Sequence, residues 1–345
     1  MDALCREIEL QKNYLDAKEV SSLYFGGGTP SLLYIKDIDK IIASVTQNFR
    51  LDRNAEITLE ANPDDLNKEK IEGLKEAGIN RLSIGVQSFS DSDLSLLNRT
   101  HSGKQAITAI GEAQKAGFSN LTIDLMYGLP GLTARKWEHN LKQAFSLGVP
   151  HLSAYCLTVE ERTALHHFIK TGQISIPGEE AAIAHYETLM ESAEQNGFIH
   201  YEISNFCKPG MHSRHNSSYW NNEPYLGIGP SAHSYNGKSR QWNVANNAVY
   251  IRSVKSGEGW FEKEALKPAD VFNEYIMTRL RTKAGIDLAF IKVHFGQERA
   301  GGLIQQLSQY ITSGLLQQEK ENVFLTRKGK LLADKIAADF FIVDA

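Results

Sequence analysis

The chain has 345 residues, 42% of them hydrophobic and 23% charged, with a formal net charge of −4. That composition belongs to a globular protein long enough for one large domain and a smaller one. The mild acidity excludes a nonspecific nucleic-acid binder, and no apolar run approaches the roughly 20 residues a spanning helix needs.

The N-terminal stretch MDALCREIELQKNYL has the pattern of an amphipathic helix, with Leu4, Ile8 and Leu15 on one stripe. It lacks the apolar core and cleavage site of a signal peptide, so a cytoplasmic protein is expected. Cys5, Cys156 and Cys207 are odd in number and far apart. They form neither a disulfide framework nor a paired-cysteine metal motif, and are expected as small buried apolar residues.

Five strand-like runs follow, at 21–25, 56–61, 81–86, 121–126 and 152–157. Amphipathic segments near 36–49, 66–77, 103–117 and 134–147 separate them. This alternation predicts an α/β fold, with a parallel sheet and helices outside it. Polar or glycine residues stand just past each strand: Gly26 to Thr29, Asn62, Gln87, Tyr127 to Gly128, and Thr158. In barrels and in open doubly wound sheets that edge carries the active site. A barrel or partial barrel is the favoured reading, and no GxGxxG opens a helix.

Residues 204–245 are rich in Asn, Gly, Ser, His, Trp and Tyr and read as a loop-built binding surface. Helices are expected at 268–283, 287–295 and 298–313, a hairpin in GLLQQEKENVFLT, and a last helix at 326–341. That order resembles a winged-helix module. From residue 262 onward 12 Lys or Arg face 11 Asp or Glu, which leaves no footprint for DNA and favours a packing or lid role.

Several residues carry chemistry. The three glycines of FGGGTP let a backbone approach a ligand closely and offer N–H and C=O groups to a small zwitterion. Glu60 in LEANPDDL closes a strand, where a carboxylate can hold ribose hydroxyls or an ammonium, while Asp64 or Asp65 supplies a helix cap. Gln87 in RLSIGVQSF ends another strand, and Arg99 in LLNRTH can meet a carboxylate bidentately. Asp124 in TIDLMYGLPG lies inside an apolar strand, so it requires a partner or a ligand.

FGGGTPSLL, TLEANPDDL, RLSIGVQSF, LNRTHS and IDLMYGLPG, in this order and spacing, resemble the radical S-adenosylmethionine (SAM) enzymes. The similar branch contains oxygen-independent coproporphyrinogen III oxidase and the related haem chaperones. The resemblance implies a partial (β/α)6 barrel that binds SAM. It places Gly26, Gly27, Gly28 and Thr29 at the methionyl amino group and Arg99 at its carboxylate. Glu60, Gln87 and Asp124 would contact the remainder, with Ser153 and Ala154 beside the adenine. The implied domains are a radical SAM barrel at 1–200, a loop-rich haem-contact region at 201–262 and a winged-helix-like C-terminal domain at 263–345.

The family also carries a CxxxCxxC motif ahead of the glycines, whose thiolates hold a 4Fe–4S cluster. This chain has no such triplet and lacks the family's first strand. The expectation is a truncated reading frame, with a genuinely degenerate gene as the alternative; the cluster is present only if the missing segment is, and the sheet has five strands.

In SRHNSSYWNNEPYLGIGPSAHSY, residues His215, Asn216, Tyr219 and Trp220 match the HNxxYW motif tied to haem binding in the chaperone branch. An imidazole can ligate haem iron and aromatic rings can cover a porphyrin, although the same residues can simply pack the loop. His212 is a second candidate ligand and His233 a candidate for the SAM cavity. His166 and His167 are expected on a solvated helix. The leading expectation is a haem chaperone that passes haem to acceptor haemoproteins, among them respiratory and membrane-associated ones. It would be cytoplasmic or peripheral to a membrane, with a homodimer as its assembly. Coproporphyrinogen decarboxylation and a cluster-less SAM or tetrapyrrole-binding module are the alternatives.

Overall fold

A computed structural model describes residues 1–16, 19–161 and 163–342. The chain begins α1 (Asp2–Leu10), β1 (Glu19–Phe25), α2 (Ile35–Asn48), β2 (Arg50–Ala61), α3 (Lys68–Glu76), β3 (Arg81–Gln87) and α4 (Asp91–Leu96). It continues with α5 (Gly103–Lys115), β4 (Asn120–Tyr127), α6 (Ala134–Ser146), β5 (His151–Cys156), α7 (Ala164–Lys170), α8 (Glu179–Gln195), β6 (Ile199–Glu202) and β7 (Asn205–Cys207). These strands form one seven-stranded sheet in the order β1-β2-β3-β4-β5-β7-β6.

Strands β2 to β5 run parallel. The sheet is larger than the five strands expected from sequence. A hairpin, β6 and β7, adds antiparallel to β5. Its residues, such as His200, Tyr201 and Glu202, are too polar to read as a core strand. Strand β2 also starts earlier than expected, because Arg50, Asp52, Arg53 and Asn54 mask its first half.

Contacts divide the chain into two compact units. One is Leu23–Ile35 with Glu56–Ser213; the other is Met1–Ser22, Lys36–Ala55 and Arg214–Ala345. In the first, side chains alternate across the sheet. Leu59, Leu82, Ile84, Leu121, Ile123 and Leu152 are buried on one face. Helices α3, α5 and α6 supply Ile71, Leu74, Ile110, Trp137 and Leu141 to that core. The other face is polar: in register, Glu60 pairs with Ser83, Ser83 with Thr122, and Asp124 with Ser153. Local signals set the helix starts. Ser102 and Gln105 form a capping box at α5, and Thr133 caps α6. Helix α3 is capped by Asn67, not by Asp64 or Asp65, which lie in a preceding 3-10 turn.

In the second unit, the segment expected as loop is more ordered. It holds α9 (Arg214–Trp220), β8 (His233–Tyr235) and β9 (Ser239–Asn243), followed by α10 (Asn247–Ser256) and β10 (Phe261–Ala265). The strands make a small sheet ordered β10-β9-β8. Helix α1 packs there: Ala3 clusters with Tyr250, Val254 and Trp260, with Leu4 against them. The chain ends with α11 (Pro268–Leu280), β11 (Ile286–Asp287), α12 (Leu288–Phe295), α13 (Gln297–Thr312), β12 (Leu316–Glu319), β13 (Asn322–Leu325), α14 (Arg327–Lys330) and α15 (Ala333–Ala338). The expected last helix is thus two short ones. The wing has a third strand, β11, paired antiparallel with β13.

Candidate functional site

The candidate site lies at the carboxyl edge of the sheet in the first unit. Strand β1 runs out into Gly26, Gly27 and Gly28. Gly27 and Gly28 have φ of +75° and +68°, left-handed values that disfavour a side chain. A Cβ on either would meet nothing within 4 Å, so these backbones border open space. Gly26 is different: a Cβ there would lie 2.4 Å from the Tyr24 ring and 3.0 Å from Glu60 Oε1. Glycine at 26 therefore lets Tyr24 and Glu60 meet. The Tyr24 hydroxyl donates to Glu60 Oε1 at 2.5 Å, and the Gly27 N–H donates to Oε2 at 3.3 Å.

The neighbouring strands extend this edge. Asn62 follows β2 and accepts a bond from Arg99 Nη1 at 3.2 Å. Arg99 reaches it because Asn98, at φ +53°, turns the chain back after α4 and lets the Arg99 N–H cap Leu94. Gln87 closes β3 at φ +65°, beside a register shift between β3 and β4. A left-handed glutamine at a bulge costs about 1 kcal/mol or more, and such strain gathers at ligand sites. Ser83 donates to the two Asp124 oxygens at 3.4 and 3.5 Å. Thus Gly27, Glu60, Ser83 and Asp124 form one run along the edge, with Asn62 and Arg99 at its rim.

The run is electron-rich. Burial pushes the Asp124 carboxyl up to about 7; hydrogen bonding from Ser153 opposes this and the nearby Glu60 charge adds to it. Burial, then Glu60, raises the Tyr24 phenol far above its ordinary range. Tyr155 is 45% exposed, yet partial desolvation of its hydroxyl, then Asp124, raises its phenol too. A cationic ligand would relieve all three groups at once. Ala154 lies on the opposite face from Ser153. It is buried, and its N–H donates to Ser204 O at 2.8 Å, so its side chain does not share the face of Asp124.

Below this rim lies a network not anticipated from the sequence. The buried Arg81 guanidinium donates to Asn120 and to the Thr122 hydroxyl. Thr122 Oγ1 is 3.1 Å from His151 Nδ1, and His151 Nε2 is 2.7 Å from the Tyr201 hydroxyl. Burial, with the charges of Arg81 and His212, holds His151 well below the ordinary histidine range. Arg81 opens a strand and reads as an ordinary flanking charge. Nothing in the sequence pairs Thr122 with His151.

The HNxxYW residues belong to the second unit, on α9. His215 and Tyr219 rings meet edge-on at 5.0 Å, and Tyr219 meets Tyr225 at 4.7 Å. Tyr219 is 40% exposed, so this aromatic strip presents a face to solvent. Trp220 lies under the Arg281 guanidinium at 5.4 Å. Asn216 is half-buried beside His215 in the same helix, and His233 is exposed on β8. His212 is exposed in the first unit, its ring 6.3 Å from that of Tyr201. Helix α7, with His166 and His167, has no buried residue.

The radical SAM superfamily model matches residues 5–144, and the HemN C-terminal domain model residues 266–332. The heme chaperone HemW of Bacillus subtilis is 36% identical over 93% of this chain and 86% of its own length. The heme chaperone HemW of Lactococcus lactis is 31% identical over 100% of this chain and 90% of its own. The chain belongs to the HemW family of the radical SAM superfamily. Its fold agrees. The structure of coproporphyrinogen III oxidase (HemN) from Escherichia coli matches 99% of this chain and 82% of that one, with a TM-score of 0.84 at 24% identity. The α/β sheet is therefore the radical SAM half-barrel, and the C-terminal module is the HemN type.

Membership of the HemW family implies SAM and a 4Fe–4S cluster, and the two fare differently here. The glycine edge, the carboxylates and Arg99 suit a cationic amino acid sulfonium. The cluster does not fit the residues present. Cys5 is half-buried, Cys156 exposed and Cys207 buried; Cys156 thus departs from the buried thiol expected. Cys5 belongs to a different unit from the other two. Among the described residues no group of three or more His, Cys, Asp or Glu could hold a metal ion. Among them, too, no helix is long and apolar enough to cross a membrane.

Proposed function

We propose that this HemW-family chain is a haem chaperone that holds SAM at the sheet edge and carries haem to acceptor haemoproteins. The observation that carries the reading is the 36% identity, over 93% of the chain, to a protein named as a heme chaperone. The His215–Tyr219 pair supports it, because it joins a half-buried imidazole, a side chain able to ligate iron, to a ring that is 40% exposed.

In this reading the residues divide their work. The backbone around Gly26, Gly27, Gly28 and Thr29 receives the ammonium end of the methionyl moiety. Arg99 meets its carboxylate, and Asn62 keeps the guanidinium aimed. Glu60 and Asp124 face positive charge, while Gln87 and the backbone of Ser153 and Ala154 border the adenosyl group. Bound there, SAM supplies a sulfonium cation and an adenosyl group. Haem is cargo: His215 offers its ring nitrogen to iron, Tyr219 and Trp220 cover the macrocycle, and Asn216 orients the helix start. The recipients are haemoproteins, with membrane-associated respiratory ones among them, and a homodimer is the proposed assembly.

Haemin titrated into the purified chain tests this. The expected result is saturable binding with a shifted Soret band, weakened about tenfold in His215→Ala. No saturable binding overturns the reading, and an unchanged Soret band and affinity in the variant removes His215 from it.

A further inference from the structure

A basic pocket opens in the first unit between the turn after β3 and the start of α6. Its volume is about 420 Å³, and it is lined by Phe89, Ser90, Thr133, Arg135, Lys136 and His139. Small-molecule sites occupy roughly 300–1,000 Å³. The turn is fixed from behind. Asn140, buried on α6, accepts the Phe89 N–H on Oδ1 at 2.8 Å and donates from Nδ2 to Ser88 Oγ at 3.0 Å. Ser88 Oγ also accepts the Ser90 N–H at 3.1 Å and donates to Asp93 Oδ2 at 2.9 Å. Ser88 and Asp93 are buried as well. Three buried polar residues therefore hold one short turn against α6, so the walls of the pocket are set before anything enters it.

The open side is cationic. Arg135, Lys136 and His139 are all exposed. Arg135 and His139 stand one helical turn apart on one face of α6. Among the described residues neither has a hydrogen-bonding or ionic partner. Lys136 Nζ lies 3.8 Å from Asp93 Oδ1. The Thr133 hydroxyl accepts the Lys136 N–H at 3.3 Å and keeps its own proton to donate. Basic groups at this spacing gain nothing from one another, and an anion between them makes the arrangement favourable.

We propose that this pocket binds a small molecule carrying a phosphate group. The donors decide the class. A guanidinium, an ammonium, an imidazole and the Ser90 and Thr133 hydroxyls border one space, which is more than the two oxygens of a carboxylate can use. A phosphate has three peripheral oxygens and more charge, and a guanidinium meets two of those oxygens side by side. Phe89 adds an apolar wall for the organic part of the ligand. Binding is non-covalent and leaves the glycine edge and α9 untouched, so the site goes beyond the SAM and haem reading.

The test uses the full chain and two probes that share a ring, phenyl phosphate and benzoate. Each is titrated by calorimetry into wild type, Arg135→Gln, His139→Gln and a control, Lys68→Gln on α3, at about 150 mM salt to screen the general field. Phenyl phosphate should bind saturably and benzoate at least about tenfold more weakly. Arg135→Gln and His139→Gln should each weaken phenyl phosphate about tenfold, and Lys68→Gln should match wild type. A second measurement needs no variant: phenyl phosphate should slow modification of Arg135 by phenylglyoxal, followed by mass spectrometry. No saturable phenyl phosphate binding overturns the proposal. So does benzoate binding as tightly, a loss in Lys68→Gln equal to that in Arg135→Gln, or Arg135 modified at an unchanged rate. Neither SAM nor haemin enters the assay, so each of these results leaves the chaperone reading where it stands.

Discussion

Gly27 and Glu60 join the exits of the first two strands: the Gly27 N–H donates to Glu60 Oε2 at 3.3 Å. The bond sets a left-handed glycine backbone beside a carboxylate whose other oxygen is held by Tyr24. Backbone groups suited to an amino acid zwitterion therefore sit next to fixed negative charge.

Glu60→Gln tests the charge in that pairing. The amide still offers an oxygen to Tyr24, so the fold should survive. SAM affinity, measured by calorimetry, should fall about tenfold with loss of a charge-assisted contact. S-adenosylhomocysteine, which lacks the sulfonium charge, should lose much less. Equal losses for the two ligands would show that Glu60 does not act through charge.

Asp124 should make both stability and binding depend on pH. Its folded value, about 7, lies above the ordinary 3.8, so the folded state binds the extra proton between those limits. Stability from this group is present at low pH, declines as pH rises through that window, and is flat above about 7. Asp124→Asn should accordingly raise the unfolding free energy measured with urea at pH 8, by at least about 1 kcal/mol, and change it little at pH 4. A cationic ligand pulls the proton off, so SAM affinity should climb with pH up to about 7 and then level. A flat affinity profile from pH 5.5 to 8 would rule out Asp124 as the group facing the sulfonium.

Much of the fold was legible because period and punctuation agreed. The runs at 81–86 and 121–126 are nearly continuous apolar strands; Gln87 breaks the pattern just past the first, and Asp124 breaks it inside the second. Gln87 and Asp124 stood out for that reason, and the structure sets both at one edge with Glu60 and Arg99. The partners that hold them were not legible. Ser83 reads as one polar residue in a strand, yet register puts it between Glu60 and Asp124. Asn62 gains its role only because Asn98 reverses the chain ahead of Arg99.

The hairpin of β6 and β7 was missed for a related reason. Its polar residues face the inner layer of the sheet, where Tyr201 meets His151 and Ser153 donates to Asn205 at 2.7 Å. A strand whose inward side is polar on purpose carries no hydrophobic alternation to read. Glu7 was hidden by the opposite logic: on an amphipathic helix an acid is expected outside, and this one is buried.

That buried acid gives the sharpest stability prediction. The Glu7 carboxylate accepts the Gly229 N–H at 2.8 Å, Asn243 Nδ2 at 2.6 Å and the Tyr250 hydroxyl. It thereby pins α1 to the turn at Gly229, where φ is +109°, and to α10. Burial raises its pKa, so those three donors must repay the desolvation of the charge. Glu7→Ala strands three buried donors together, at roughly 1–3 kcal/mol each before relaxation or water entry. Urea unfolding should show a loss of about 3 kcal/mol or more, while Glu7→Gln, which keeps one accepting oxygen, should lose less. Because Glu7 and the SAM edge lie in different units, SAM affinity of the folded Glu7→Ala protein should match wild type. A loss under about 1 kcal/mol would mean that water or neighbouring groups satisfy the three donors without the carboxylate.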